Sequence, residues 1–188
     1  MTPRRALDEA FTACPRAAFL PEDQRRFAHL DRPLPIGYGQ TNSQPTTVRH
    51  TLALLDVRPG QRVLDVGCGS GWTTALLAHL VGPDGEVIGV EIVPELVDIG
   101  RAHVAGHASA QVEQALPDTL GLPALAPFDR ILVSAEATVL PTSLVEQLTD
   151  DGVLVVPVAG TLHEVRRQGA DVVDVPHGRY VFVPLQGG

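Results

Sequence analysis

The stretch Arg62-Val63-Leu64-Asp65-Val66-Gly67-Cys68-Gly69-Ser70-Gly71-Trp72 decides the fold. Its apolar first half reads as a strand, three alternate glycines break the strand, and Trp72 to Val81 reads as a helix. Downstream, a turn at Gly82-Pro83-Asp84-Gly85 leads to a strand Val87 to Glu91, a helix Pro94 to His107 and a short strand near Gln111 to Gln114. A strand Arg130 to Ser134, a helix Pro141 to Leu148 and a strand Val153 to Val158 follow. Strands alternating with helices specify a mostly parallel, twisted α/β sheet covered on both faces. The C-terminal residues switch to valine-rich pieces separated by Gly169 and by Pro176-His177-Gly178, which read as antiparallel strands at the end of the sheet. Upstream lie an amphipathic helix from Ala6 to Thr12, ended by Cys14-Pro15, and a connector from Leu30 to Pro45. In the connector Pro33, Pro35, Gly37 and Gly39 forbid a regular element. A helix Thr46 to Leu55 then begins, with Pro45 in its first turn and Ser43 or Gln44 near its cap.

Composition narrows the chemistry. The 188 residues fit one domain, 1–188, in which 1–60 form a helical and loop segment packed on the rest. All 14 basic residues are arginine, so Schiff-base and other lysine-amine chemistry is excluded. A formal charge of −8, with basic residues gathered no further than pairs such as Arg166-Arg167, argues against a nucleic-acid partner. Cys14 and Cys68 offer neither a disulfide framework nor a zinc spacing, which implies a reducing, cytoplasmic location. No apolar run suits a signal peptide or a membrane span. His103 and His107 stand at i, i+4 without an accompanying HExxH, and read as a solvated helix face; no metal is expected.

The glycine turn follows a strand, opens a helix, and precedes Glu91 at the end of the next strand. That placement suits a nucleoside cofactor, with the backbone close to the ligand and the carboxylate accepting from the ribose hydroxyls. A dinucleotide fingerprint wants G-x-G-x-x-G, whereas position 72 holds bulky Trp72. The G-x-G-x-G spacing instead suits S-adenosylmethionine, which carries an amino-acid tail and no phosphates. Asp65 reads either as a buried acid orienting the glycine loop or as a partner of an arginine, and Cys68 as a small packing residue. Ser134 and Glu136 fall at the carboxyl end of a central strand, facing the mouth of such a site.

The stretch Val63 to Trp72 resembles the first motif of class I methyltransferases, and further segments resemble one family, the protein-L-isoaspartate O-methyltransferases. Pro15-Arg16-Ala17-Ala18-Phe19-Leu20-Pro21 is similar to its N-terminal motif. Pro33-Leu34-Pro35-Ile36-Gly37-Tyr38-Gly39-Gln40-Thr41-Asn42-Ser43-Gln44-Pro45 is similar to its most specific signature. The segment Ala126 to Ala135, then Gln147-Leu148 with Gly152, and the closing Phe182-Val183-Pro184-Leu185 fall in family order. The resemblance implies a Rossmann-like class I methyltransferase domain that transfers a methyl group from S-adenosyl-L-methionine to the free carboxylate of L-isoaspartyl residues in damaged proteins or peptides. The ester then closes to a succinimide without enzymatic help, which makes the reaction a repair.

Carried over by position, the family makes Ser43 the catalytic residue, and Ile36, Gly37, Gln40, Thr41 and Asn42 a substrate loop. Gly67, Cys68, Gly69, Gly71, Glu91, Ile92, Asp118 and Ser134 become cofactor contacts, and His163 falls near a glutamine that the family has by the cofactor. One departure stands out: Leu116-Pro117-Asp118 replaces the Gly-Asp-Gly of the adenine clamp, removing an N–H and displacing the acid by one residue. The same fold and donor would also serve a carboxyl methyltransferase for a specific peptide or small acid, or a cofactor-binding protein without turnover.

Overall fold

The computed structural model describes residues 3–187. Helix α1 (Pro3–Ala13) is followed by two 3₁₀ turns, Arg16–Phe19 and Glu22–Phe27, and by a hairpin of β1 (Leu34–Gly37) and β2 (Gln40–Asn42). Next come α2 (Pro45–Leu55), β3 (Arg62–Val66), α3 (Trp72–Val81), β4 (Glu86–Glu91), α4 (Pro94–Val104) and β5 (Ala110–Gln114). The chain continues through β6 (Phe128–Val133), α5 (Thr142–Val145), β7 (Leu148–Val158), β8 (Thr161–Gln168) and β9 (Asp171–Arg179).

Strands β3 to β9 form one sheet in the order β5-β4-β3-β6-β7-β8-β9. Pairing is parallel from β5 to β7 and antiparallel through β8 and β9. After β3 the chain goes first to one side of that strand and later to the other. The resulting switch point opens a crevice at the carboxyl ends of β3, β4 and β6, where open α/β sheets bind ligands.

Alternation along β3 divides the core. Val63 joins Val87, Leu132, Val153 and the inner faces of α1, α2 and α3, while Leu64 and Val66 join Ile88, Val90, Ile131, Val133 and Leu144 on the opposite face. A third group, Leu20, Leu34, Ile36 and Leu96, fastens the hairpin to α4. Burying a Leu or Ile in this way contributes roughly 1.5–3 kcal/mol each, enough to hold a short hairpin that would not persist alone.

Several expectations need correction. The connector from Leu30 to Pro45 contains a regular element after all. Gly37 pairs with Gln40 across Tyr38 and Gly39, whose φ values of 55° and 73° are both positive, as in a type I′ turn. Pro33 precedes the hairpin and Pro35 sits in a two-stranded ribbon, where a missing N–H is tolerated. Helix α5 stops at Val145, well short of Leu148, because Leu148 already pairs with Phe128 as the start of β7. Helix α4 ends at Val104 rather than His107, just before the break at Gly106. Pro176-His177-Gly178 does not end a strand; it lies within β9, where the pairing to β8 shifts register between Thr161 and His163.

Candidate functional site

The crevice at the switch point is a cleft lined by both the glycine turn and the hairpin. Its floor is the turn Gly67 to Ser70, one side is Glu91 and Ile92, and the far wall is Ser134 and Ala135. The hairpin contributes Ile36, Gln40, Thr41, Asn42 and Ser43. Of the residues proposed from sequence, Ser43, Gly67, Cys68, Gly69, Glu91, Ile92, Ser134, Ile36, Gln40, Thr41 and Asn42 all line this space.

The floor is shaped by its backbone. Gly67, Gly69 and Gly71 have φ values of 75°, 54° and 86°, a region that favours glycine. The amides of Gly67 and Cys68 both donate to the Val90 carbonyl, at 2.9 and 3.1 Å, tying the turn to the end of β4. The Glu91 carboxylate completes the tie: Oε2 accepts from the Gly69 amide at 2.9 Å, and Oε1 from the amides of Ile92 and Val93 at 2.8 and 3.0 Å. Three of about four acceptor positions are thereby used, which leaves room for one further donor outright.

Beneath the turn lies buried Asp65. Its Oδ2 accepts from the Thr73 and Thr74 hydroxyls at 2.6 and 2.7 Å, while Oδ1 has no partner. Its partners lie in the first turn of α3, so it anchors that helix, and among the described residues it bonds to no arginine. Burial pushes its pKa up to about 6, against the pull of the two hydroxyls, with the nearby Glu91 charge adding to the rise. Burial likewise raises the Cys68 thiol well above its usual range, so Cys68 offers the cleft its backbone and a packing side chain, not a nucleophile. Gly89 is glycine for the same reason, since a Cβ there would come within 2.8 Å of Thr74 Oγ1 and 3.0 Å of Cys68 Sγ.

Six sequence assignments move. Gly71 lies outside the cleft, where a Cβ would sit 3.2 Å from Val104 Cγ1 and 3.3 Å from the Gly100 backbone; it packs α3 against α4. Gly37 is in the hairpin turn, not in the wall. Asp118 turns away into a neighbouring groove with Ser143, Glu146 and Gln147, because the Thr119 amide closes a turn onto the Leu116 carbonyl and leaves Leu116, Thr119, Leu120 and Gly121 toward the cleft. Glu136 pairs its backbone with Val183 and Leu185 and accepts from the Gly160 amide at 3.2 Å, so it supports the tail instead of facing the mouth. His163 is taken by Asp174 at 2.8 Å on β8, away from the cleft. His103 is also no solvated face: its Nδ1 lies 2.8 Å from the Ser70 carbonyl, and its ring meets Phe19 edge-on.

Ser43 is not the cap of α2. The Thr46 backbone amide and hydroxyl both donate to Asp31, at 2.9 and 2.7 Å, as does the Gln44 side-chain Nε2 at 3.0 Å. These bonds hold the Asp31 carboxyl below its ordinary pKa, the Thr46 amide contributing most. The Ser43 hydroxyl is thus free of the structural duty its position suggested. Sequence reasoning missed three participants: Asp31, the guanidinium of Arg16 behind the hairpin, and the tail residues Val183 to Leu185, which also line the cleft. The signal for the last two was present, since both lie in segments quoted for their resemblance and assigned no role.

A family model described as protein-L-isoaspartate(D-aspartate) O-methyltransferase matches residues 2–188. The chain is similar to the protein-L-isoaspartate O-methyltransferase of Methanopyrus kandleri, 44% identical over 186 residues that cover 95% of this chain and 82% of that one. It is 42% identical over 177 residues to the protein of the same name from Methanocella arvoryzae, covering 92% and 94% of the two chains. Among solved structures it resembles a Plasmodium falciparum protein described as a protein-L-isoaspartate O-methyltransferase and solved with S-adenosyl-L-homocysteine, with a TM-score of 0.86, 25% identity, and coverage of 97% of this chain and 91% of that one.

Proposed function

The chain belongs to the protein-L-isoaspartate(D-aspartate) O-methyltransferase family, and from that premise we propose that residues 1–188 act as one methyltransferase unit on the isoaspartyl α-carboxylates of damaged proteins or peptides. The observation that carries the reading is the meeting of the Ile36–Ser43 loop and the Gly67–Ser70 turn in one cleft. One supplies an acceptor site and the other a donor site, within reach of a single methyl group.

The residues fit S-adenosyl-L-methionine. Glu91 keeps an acceptor position for a ribose hydroxyl, Ile92, Leu116 and Leu120 offer apolar surface to a base, and the side-chain-free turn admits an amino-acid tail. The donor supplies an electrophilic methyl on a sulfonium; the acceptor oxygen forms the new O–C bond as the C–S bond breaks, and the bonding pair stays on sulfur. A carboxylate with a reference pKa near 4 is already ionised at neutral pH, so no strong base is required. The chain's own work is placement and exclusion of water. Ser43 is assigned the place beside the acceptor carboxylate, supported by its position in the wall and its freedom from capping.

Aspartyl and isoaspartyl twins of one peptide provide the test, with radiolabelled methyl donor. Methyl ester should form on the isoaspartyl peptide and stay at background on its twin. Equal labelling of both, or of neither, overturns the reading. Acceptors are protein or peptide on this view, and nucleic acid is not among them. No helix among the described residues is long and apolar enough to cross a membrane.

A further inference from the structure

Arg16 sits in the Pro15-to-Pro21 motif, to which the reaction as described assigns nothing. It is only 6% exposed. Its Nε donates to Asn42 Oδ1 at 2.7 Å, and Nη1 to the carbonyls of Leu30 at 3.0 Å and Ala28 at 3.5 Å. Its Nη2 donates to the carbonyls of Arg32, Asn42 and Ser43 at 2.8, 2.9 and 2.9 Å. The guanidinium also lies 5.5 Å from the centre of the Trp72 ring. Among the described residues no carboxylate touches it. Burial lowers its pKa to about 10, only partly offset by the Asp31 charge, so it remains a cation at neutral pH. A buried charge satisfied by neutral oxygens alone is a poor stabiliser, and its value lies in the geometry it imposes.

That geometry acts on Asn42. An arginine N–H can only donate, so the Asn42 side chain must present its oxygen to Nε and cannot flip. Its amide nitrogen is thereby directed away from Arg16. Asn42 is 5% exposed and lines the cleft beside Ser43, and among the described residues its Nδ2 has no hydrogen-bond partner. Two N–H donors are held ready, with nothing among the described residues to receive them, at the wall where the acceptor carboxylate must arrive.

We propose that Asn42 Nδ2 binds one oxygen of the acceptor carboxylate, and that Arg16 is the positioning residue that fixes the Asn42 amide for this purpose. The inference rests on the isoaspartyl reading above. Holding one oxygen orients the other, whose lone pair forms the O–C bond while the C–S pair departs to sulfur. An amide suits this better than a cation, since it binds the carboxylate without drawing off as much of the charge that makes the free oxygen nucleophilic. Arg16 also holds the Asn42 and Ser43 carbonyls, so one side chain sets the height of both residues over the cleft.

Asn42→Asp tests this with little change of shape. It keeps an oxygen for Arg16 Nε and places a carboxylate beside the buried guanidinium, so the fold is preserved, but it replaces the donor with an anion facing the substrate. The KM for an isoaspartyl peptide should rise at least tenfold, while calorimetric affinity for S-adenosylhomocysteine and the melting temperature hold or improve. In the parent protein, the Asn42 side-chain amide signals in a ¹⁵N spectrum should shift when the peptide is added to the S-adenosylhomocysteine complex. Arg16→Lys loses the planar fork, and should lower kcat at least tenfold with cofactor affinity kept; if it fails to fold, the Asp variant carries the test. An Asn42→Asp enzyme with the parent's KM overturns the proposal. So does weakened S-adenosylhomocysteine binding, which would assign the donor to the cofactor's own carboxylate. A parent protein inactive on the isoaspartyl peptide overturns the isoaspartyl reading itself, and this inference with it.

Discussion

The turn that begins at Gly67 and the hairpin from Leu34 to Asn42 both line one cleft, yet different forces hold them. The turn is shaped from within, by three positive φ angles that favour glycine and by amides bonded to Val90 and Glu91. The hairpin is held from outside, by the Arg16 guanidinium and by Leu20 and Leu96 packed beneath it, while Asp31 fixes the start of the helix that follows. Substitution in the turn should therefore strike donor binding through the backbone, and substitution around the hairpin should strike transfer through side chains.

The heaviest blow to the turn is Gly71→Ala. A Cβ would be forced into a left-handed backbone and against Val104 and Gly100, at 3.2–3.3 Å. Strain of this kind costs about 2–4 kcal/mol, read as a lower urea midpoint together with weaker S-adenosylhomocysteine binding. A variant with the parent's midpoint would show that the turn is not held by its own backbone.

Asp65 gives an effect of similar size that depends on pH. Its folded pKa near 6 lies above the unfolded value near 4, so between those values the native chain keeps a proton that the unfolded chain releases. This contribution to stability is present in full below pH 4 and is lost as pH rises through about 6. Asp65→Asn removes that slope, so the variant should gain about 3 kcal/mol relative to the parent between pH 4 and pH 7. Parallel stability curves in denaturant titrations would refute the buried-acid account.

Glu91→Gln comes next, trading an anionic acceptor for a neutral one. S-adenosylhomocysteine should bind more weakly by about 1.5–3 kcal/mol, and unchanged affinity in a folded variant would remove Glu91 from the site. Across the cleft, Ser43→Ala should lower turnover roughly tenfold, about 1.4 kcal/mol, with the melting temperature held, whereas Asp31→Ala should lower the melting temperature. Were Ser43→Ala to act on melting alone, the division of labour between these two residues would be wrong. Smallest is Asp118→Ala, expected to change S-adenosylhomocysteine affinity by less than about 0.5 kcal/mol, in the range of surface substitutions. A larger loss would return Asp118 to the adenine clamp.

The same contrast explains what the sequence could tell. Strand β3, the glycine turn and Glu91 were legible because their signals are local: an apolar run, residues that permit positive φ, and an acid at the end of the next strand. Loop residues such as Ser43 and Asn42 were legible only through resemblance. The motif that holds Arg16 was visible but its role was not, because apart from the Asn42 side chain its partners are backbone carbonyls, which every residue owns and no sequence pattern marks. Asp118 misled for a related reason: alignment gives the order of side chains, but the turn between Leu116 and Thr119 decides which of them faces the ligand. The Tyr38-Gly39 turn was hidden by prolines that a central strand would not accept and a two-stranded ribbon does.

Part of the cleft's lining comes from the hairpin, from Ile36 to Ser43, and part from Val183 to Gln186, about 140 residues later. A molecule filling the space would act as a clasp between them. Its binding energy would be shared by both segments, and amide-exchange protection in the two should then rise and fall together, although they lie far apart in sequence.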